Sequence, residues 1–325
     1  QWDDANTGVY SCALGKNNTA SGEFSTAMNI GNVASGWSST VMGAYSTSSG
    51  TASLAGGRNC VASSQHSYCF GQNSIARGSE SVALGASCSA TGAAAFAVGS
   101  GCTASAGLSV SLGGYTTASA FAATALGYNT TASGKYSTAM GYEVNTNGKD
   151  GSFMLGDKST STTMNATMSN RFYARFDQGY VLYTNAARTT GMFAFNGGNS
   201  WTSLSDSTRK EHFKSVDAER MLTAFRTLRL GSLNYKGDGQ RHYGPMAQEW
   251  FAAFGHDGIG TIGNDTTLAT ADVDGVLCTA IQALEKRTTD DREQLITQAN
   301  QIRSLATQLS DKNREIEQLR KQLSS

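Results

Sequence analysis

Proline is almost missing: Pro245 stands alone among 325 residues, against 37 glycines. A proline-rich linker and a collagen-like chain are therefore both excluded. Charge is scarce in the first half, where residues 1–150 carry five basic and six acidic side chains while the remaining 175 carry 20 and 19. Over the whole chain Lys+Arg and Asp+Glu are both 25, so neither nucleic acid nor an anionic membrane has a global electrostatic reason to bind. No apolar run approaches the length of a membrane span. Gln1-Trp2-Asp3 does not open a signal peptide, and the chain starts almost inside a repeat. It reads as a fragment of something longer, with any targeting signal or anchor outside it. The four histidines, His66, His212, His242 and His256, lack metal-ligand spacing, so neither a metal nor a cofactor is expected. Six cysteines form no disulfide framework; Cys60, Cys88 and Cys102 share one repeat column and read as small packing residues with free thiols.

What is present is a 14-residue period. An apolar residue recurs at Leu14, Met28, Met42, Phe70, Leu84, Val98, Leu112, Leu126 and Met140, with Gly56 in the missing place. Gly follows it at 15, 43, 57, 71, 85, 99, 113, 127 and 141, and a second glycine column runs from Gly8 to Gly148. Fixed-period repetition of this kind marks a solenoid or array. Fourteen residues with two glycine-marked corners fit two short strands and two tight turns, one flattened coil of a parallel β-solenoid. Alanine, serine and threonine dominate, so each coil has room inside only for small side chains. A coil that thin buries little apolar surface, and association of several chains is the simplest way to complete its core. A disordered Gly/Ser linker would have no reason to hold Met or Leu every 14 residues.

The wording of the repeats, as in Ser25-Thr26-Ala27-Met28 and Thr131-Ala132-Ser133-Gly134-Lys135-Tyr136-Ser137-Thr138-Ala139-Met140-Gly141, resembles the head repeats of trimeric autotransporter adhesins. The resemblance covers roughly residues 8–155. It implies a left-handed parallel β-roll with three chains per head, a homotrimer that meets a glycan or protein ligand on a target cell.

From Gly148 the register slips by one, to Leu155-Gly156, and the repeat ends. Residues 157–170 read as a Ser/Thr-rich connector. Apolar and aromatic residues on both sides of Asp177-Gln178-Gly179 predict a β-hairpin within Arg171–Tyr183, and Gly191–Phe195 a further strand. Residues 156–204 form a small β-rich neck in this reading. Beyond it, Met221, Leu222, Phe225 and Leu228 have helical spacing, Leu233-Asn234-Tyr235 reads as a strand, and 246–254 as a second helix. The end is a heptad repeat. Its a positions are Ile281, Thr288, Leu295, Ile302, Leu309, Ile316 and Leu323; its d positions are Leu277, Leu284, Asp291, Gln298, Leu305, Lys312 and Leu319. Seven heptads in phase predict a coiled coil over 277–325. Ile at a with Leu at d leans towards two strands, so the trimer is implied by the resemblances alone.

Composition changes character at Leu204-Ser205-Asp206-Ser207-Thr208-Arg209-Lys210. A serine five residues before a lysine can act as nucleophile and base at their own peptide bond, provided desolvation or nearby positive charge favours a neutral amine. Arg209 could supply that charge. Residues 201–285 resemble the C-terminal intramolecular chaperone of endosialidase-type phage tail spikes and fibres. The matching motifs are Trp201–Asp206, Lys210-Glu211-His212-Phe213, His242–Glu249, Asp272–Val276 and Ala280–Leu284. Such domains trimerise a fibre and then release themselves. Carried over by position, Ser205 is the nucleophile, Lys210 its base and Leu204–Ser205 the scissile bond. Asp206, Arg209 and His242 are supporting candidates, with Asp206 a turn or capping residue and His242 a packed structural one. In the family an arginine usually follows the serine by two or three residues; here Ser207 and Thr208 hold those places and Arg209 comes later.

The expected fold class is therefore mixed: a trimeric left-handed parallel β-roll at 1–155, a neck at 156–204, and an α+β chaperone at 205–325 ending in a trimeric coiled coil. The expected function is a surface or virion fibre whose chaperone sets trimer register and then cuts itself off in a single-turnover serine peptidase step. Near-identical coils can pair one coil out of step at little cost, so a clamp at one end gives the array a defined start. Several alternatives compete with this reading. A glycan-degrading spike needs a spaced carboxylate pair, yet residues 5–149 offer only Glu23, Glu80 and Glu143, so its catalytic domain would lie upstream. An ice-binding solenoid needs a threonine ladder, but the column from Cys12 to Phe96 reads Cys, Thr, Thr, Leu, Tyr, Val, Phe. A self-cleaving transcription factor needs a phosphate-binding surface the head does not offer. A clamp that never cuts is the last.

Overall fold

A computed structural model describes residues 6–323; the opening Gln1-Trp2-Asp3 lies outside the described residues. The chain divides into two compact units between Thr202 and Ser203.

The first unit is a parallel β-solenoid of about ten turns. Each coil has a five-residue strand such as Cys12–Lys16 followed by a two-residue strand such as Thr19–Ala20. The long strands stack into one 12-stranded sheet and the short ones into an 11-stranded sheet. Register advances by the sequence period: Cys12 pairs with Thr26, Val82 with Phe96, and Thr124 with Thr138. Alanines such as Ala27, Ala83, Ala97 and Ala125 point inward from the long strands, meeting Ala34, Ala90 and Ala104 from the short ones, all fully buried. Met154, Val41 and Val144 are the largest side chains buried inside, which is why the coil stays thin. At the fourth residue of most long strands the backbone takes a φ that side chains avoid. Gly85 has φ +120°, and a Cβ there would lie 2.0 Å from the carbonyl oxygen of Gly99 in the next coil. The apolar column faces outward on the long-strand sheet, with Leu14 and Met42 exposed and Leu84, Val98 and Leu112 half-buried.

A polar ladder links the coils from inside. Asn18 Nδ2 donates to the carbonyls of Leu14 (2.6 Å) and Asn29 (2.9 Å), while its Oδ1 accepts from Asn32 N at 2.9 Å. Asn32 repeats the pattern one coil on with Met28, Gly43 and Ser46. Farther along the same column stand Cys60, Cys88 and Cys102. The Cys102 Sγ lies 3.2 Å from Val98 O and 3.1 Å from Gly113 O, the same two relative positions, with one S–H to offer between them. These cysteines are buried free thiols that take the place of a small hydrogen-bonding side chain, whereas the buried thiol of Cys69 stands in the inward alanine column between Ala55 and Ala83.

The solenoid runs on past the point where its sequence signature stops. Phe153–Gly156 pairs in parallel with Thr138–Gly141, and Phe172–Arg175 pairs with Phe153–Gly156 in turn. The hairpin expected within 171–183 is thus corrected. Phe172–Arg175 is a solenoid strand, and Gly179–Tyr183 pairs antiparallel with Gly191–Phe195 instead. The reason is in-register packing: Phe172 stacks on Phe153 at 5.8 Å, extending the sheet's outward column. Arg175 ties this end together, donating to Asp157 Oδ1 (3.3 Å), Thr162 O (2.8 Å) and Tyr142 O (3.2 Å). The Tyr180 hydroxyl donates to Ala174 O at 2.5 Å.

Among the described residues, the second unit has three α-helices and a two-stranded ribbon. Helix α1 is Ala218–Thr227, capped by the Asp217 side chain, which accepts from the N–H groups of Glu219 and Arg220. The ribbon pairs Gly231–Leu233 with His242–Gly244. Helix α2 is Ala247–Phe254, and α3 runs for 54 residues from Thr270 to Leu323, roughly 80 Å at 1.5 Å per residue. Trp250, Phe254, Ala280 and Ala283 make a small core, and Arg287 of α3 forms an ion pair with Glu219 of α1. Beyond that core the apolar heptad positions of α3 stand open; Leu295, Ile302, Leu305 and Leu309 are all more than 60% exposed. Among the described residues, no helix is long and apolar enough to cross a membrane.

Candidate functional site

The site is built by one short turn. Asp206 is extended (φ −70°, ψ 123°), Ser207–Arg209 form a single 3₁₀ turn, and Lys210 is extended again (φ −117°, ψ 146°). Asp favours such a position because its short carboxylate can accept from backbone N–H groups left free at a helical start. Here Asp206 Oδ1 accepts from Thr208 N at 2.9 Å and from Thr208 Oγ1 at 2.8 Å. The chain reverses across this turn, and Lys210 Nζ donates to Ser205 Oγ at 2.7 Å. Leu204, on the other side of the candidate bond, is half-buried, whereas Ser205 and Lys210 are exposed in the single chain.

The electrostatics of the turn centre on Asp206. Its carboxyl is held below the usual carboxylate range by the Thr208 N–H first, by the Thr208 hydroxyl next, and by the charge of Arg209. Arg209 Nε lies 3.7 Å from Asp206 Oδ2, so the displaced arginine faces the carboxylate and not the serine. His242 sits on the ribbon with its ring edge-on to Tyr235 at 5.7 Å. Among the described residues no hydrogen bond joins it to Ser205 or Lys210. Of the five residues singled out in the sequence, the turn brings together Ser205 with Lys210, and Asp206 with Arg209; His242 is engaged elsewhere. Thr208 is the participant that sequence reasoning passed over. The signal was there: a hydroxyl residue two positions after an Asp can close an Asx-type turn with both its N–H and its side chain.

A separate cleft of about 310 Å³ lies between α1 and the segment after α2, lined by Lys214, Asp217, Arg220, Met221, Phe254 and His256 among others. Lys214 Nζ is already committed there to Asp257 O at 3.1 Å. None of the Ser205–Lys210 turn lines that cleft.

Comparison with known families divides the chain in the same way. Residues 7–28, 62–87 and 118–143 match the YadA head domain repeat, a module of trimeric autotransporter adhesins. Residues 205–259 match the chaperone of endosialidase, a family that implies a self-cleaving peptidase, and the match begins at Ser205. No curated protein matches the chain. The two families place such a chain outside the cell or on a virion surface, and the adhesin repeats suggest a homotrimer.

Proposed function

We propose that this chain is a trimeric fibre with an adhesin-like head at 1–155 and a neck at 156–204 whose first part continues the solenoid. Residues 205–325 are then a chaperone that aligns three chains and cuts itself away between Leu204 and Ser205. The fibre belongs to a bacterial surface or a virion tail and meets a glycan or protein on a target cell. The observation that carries the reading is the 2.7 Å contact between Lys210 Nζ and Ser205 Oγ, at the first residue of the chaperone match.

The chemistry follows from that contact. With Lys210 neutral, its amine takes the Ser205 hydroxyl proton while Oγ attacks the Leu204 carbonyl carbon. The C–N bond to Ser205 then breaks as the new lysine ammonium returns a proton to the leaving nitrogen. The Leu204 acyl group now sits on Oγ as an ester, and water hydrolyses it to a Leu204 carboxylate and a free Ser205 hydroxyl. Attack within one dipeptide is intramolecular, so proximity supplies much of the rate once the geometry is held. Both side chains are exposed in the single chain. Covering them in a trimer would supply the desolvation that favours a neutral amine, which makes the cut a report of assembly.

Denaturing mass spectrometry tests this. Wild type should yield a fragment that begins at Ser205, and Ser205→Ala should stay whole while still assembling. Lys210→Ala should slow the cut by ~10²–10⁴-fold, the usual range for lost general-base help. Cleavage of Ser205→Ala at the same bond would remove the assignment, and a wild type that stays whole under folding conditions would leave a clamp that does not cut.

A further inference from the structure

We propose that Thr208 is a positioning residue for the dyad: by pinning Asp206 it fixes the turn that folds Lys210 back onto Ser205. The proposal rests on the Ser205–Lys210 reading above. Five residues of extended chain would separate the two Cα atoms by roughly 17 Å, beyond the reach of a lysine side chain. The 2.7 Å contact therefore depends on the turn over Ser207–Arg209 keeping its shape. Nothing buried holds that turn, since its three residues are exposed. A single 3₁₀ turn also has no cooperative helix behind it.

What holds it is a short set of hydrogen bonds. Arg209 N donates to Asp206 O at 3.1 Å and Lys210 N to Ser207 O at 3.2 Å. Both would persist in many loosely formed turns. The distinguishing feature is that Thr208 donates twice to one oxygen, Asp206 Oδ1, from its backbone N (2.9 Å) and its Oγ1 (2.8 Å). The double attachment fixes the Asp206 side chain from two directions, and the β-branch of threonine restricts its own χ1. The remaining oxygen, Oδ2, is left to Arg209 Nε at 3.7 Å. Asp206 thus spends its acceptors on the turn, and Thr208 reaches the serine only through the position of Lys210.

A double-mutant comparison separates this role from general stability. In the full chain, Thr208→Val keeps the β-branch and the backbone N–H but loses the hydroxyl. It should slow the appearance of the Ser205 fragment about tenfold, the size expected for one lost capping bond, with the trimer intact by sedimentation. Thr208→Ser should cut within about twofold of wild type, because it restores the hydroxyl. In a Lys210→Ala background, Thr208→Val should change the residual rate by less than about twofold, since there is no amine left to position. Wild-type cutting by Thr208→Val, equal slowing by Val and Ser, or the same tenfold loss without Lys210 would each overturn the proposal. If Thr208→Val does not assemble, Asp206→Asn and Asp206→Ala decide instead. The Asn oxygen still accepts both bonds and should preserve cutting that Ala loses; equal rates would refute the clamp. Cleavage by Ser205→Ala would show that the dyad reading itself had failed, independently of Thr208.

Discussion

Two substitutions in the long helix test the proposed dependence of cutting on assembly. Leu305 and Leu309 are adjacent d and a positions of the heptad, 62% and 63% exposed in the single chain. In a three-chain coiled coil they would become six buried leucines. Complete burial of a leucine contributes ~1.5–3 kcal/mol. With about three-fifths of each side chain still to be covered, the six together contribute roughly 5–11 kcal/mol to association. Replacing both by Asp removes that term and gathers six carboxylates in one seam, where like charges repel and resist desolvation. The loss is comparable with the whole stability of a typical domain, ~5–15 kcal/mol, so no trimer should survive at micromolar concentration. Sedimentation velocity should show monomer, and denaturing mass spectrometry should show the cut suppressed at least tenfold relative to wild type. A monomeric Leu305→Asp/Leu309→Asp variant that cuts at the wild-type rate would refute the coupling. A variant that still sediments as a trimer would refute the role given to these two layers.

The solenoid and its end make two further predictions. Gly85→Ala would place a Cβ 2.0 Å from Gly99 O at a φ of +120°, and should cost about 2 kcal/mol or more in urea unfolding; Gly148→Ala, at φ +70° with nothing within 4 Å, should cost only about 1 kcal/mol, and equal losses would contradict the close-approach argument. Asp157 is lowered from 3.8 to about 2, first by the Asp177 N–H, then by the Ser159 hydroxyl, with Arg175 assisting. Its folded value is depressed, so the stability it contributes is fully present above about pH 4 and is lost as pH falls from there through about 2. Hydrogen exchange at residues 172–183 should rise across that window, and Asp157→Asn should remove the acid step; an unchanged step in the Asn variant would assign it to another carboxyl.

The head was legible because its backbone demands recur at fixed spacing. A strand position like that of Gly85 tolerates hardly any other residue, so the period is written in glycine, and inward alanines such as Ala83 and Ala97 mark the thin core. The last coils were not legible because loops interrupt the count. One residue beyond the period is inserted between Thr138 and its partner Phe153, and five between Phe153 and Phe172. Once the period broke, only local pattern remained, and aromatics flanking Asp177-Gln178-Gly179 suggested a hairpin that in-register stacking overrules. At the seam the spacing of Ser205 and Lys210 made them a candidate pair but did not say how the two could meet. That required the turn conformation, and with it Thr208, whose role is invisible unless Asp206 is seen as an acceptor. Likewise the thiol column at Cys60, Cys88 and Cys102 was visible, while its equivalence to Asn18 and Asn32 depended on hydrogen-bond geometry.

The closing of the solenoid at Arg175 and Tyr180 bears on how such a rod avoids becoming a polymer. A stack of parallel coils presents, at its last strand, a row of free carbonyl and amide groups that would template another strand from any neighbouring molecule. Here two carbonyls of that row are already taken. Tyr180 caps the Ala174 carbonyl and Gly179 N takes that of Phe176, while the Arg175 side chain holds the loop of 157–162 through Asp157 and Thr162. A strand arriving from outside would have to displace these contacts before gaining its own. The last strand thus resists addition of a further strand at this end.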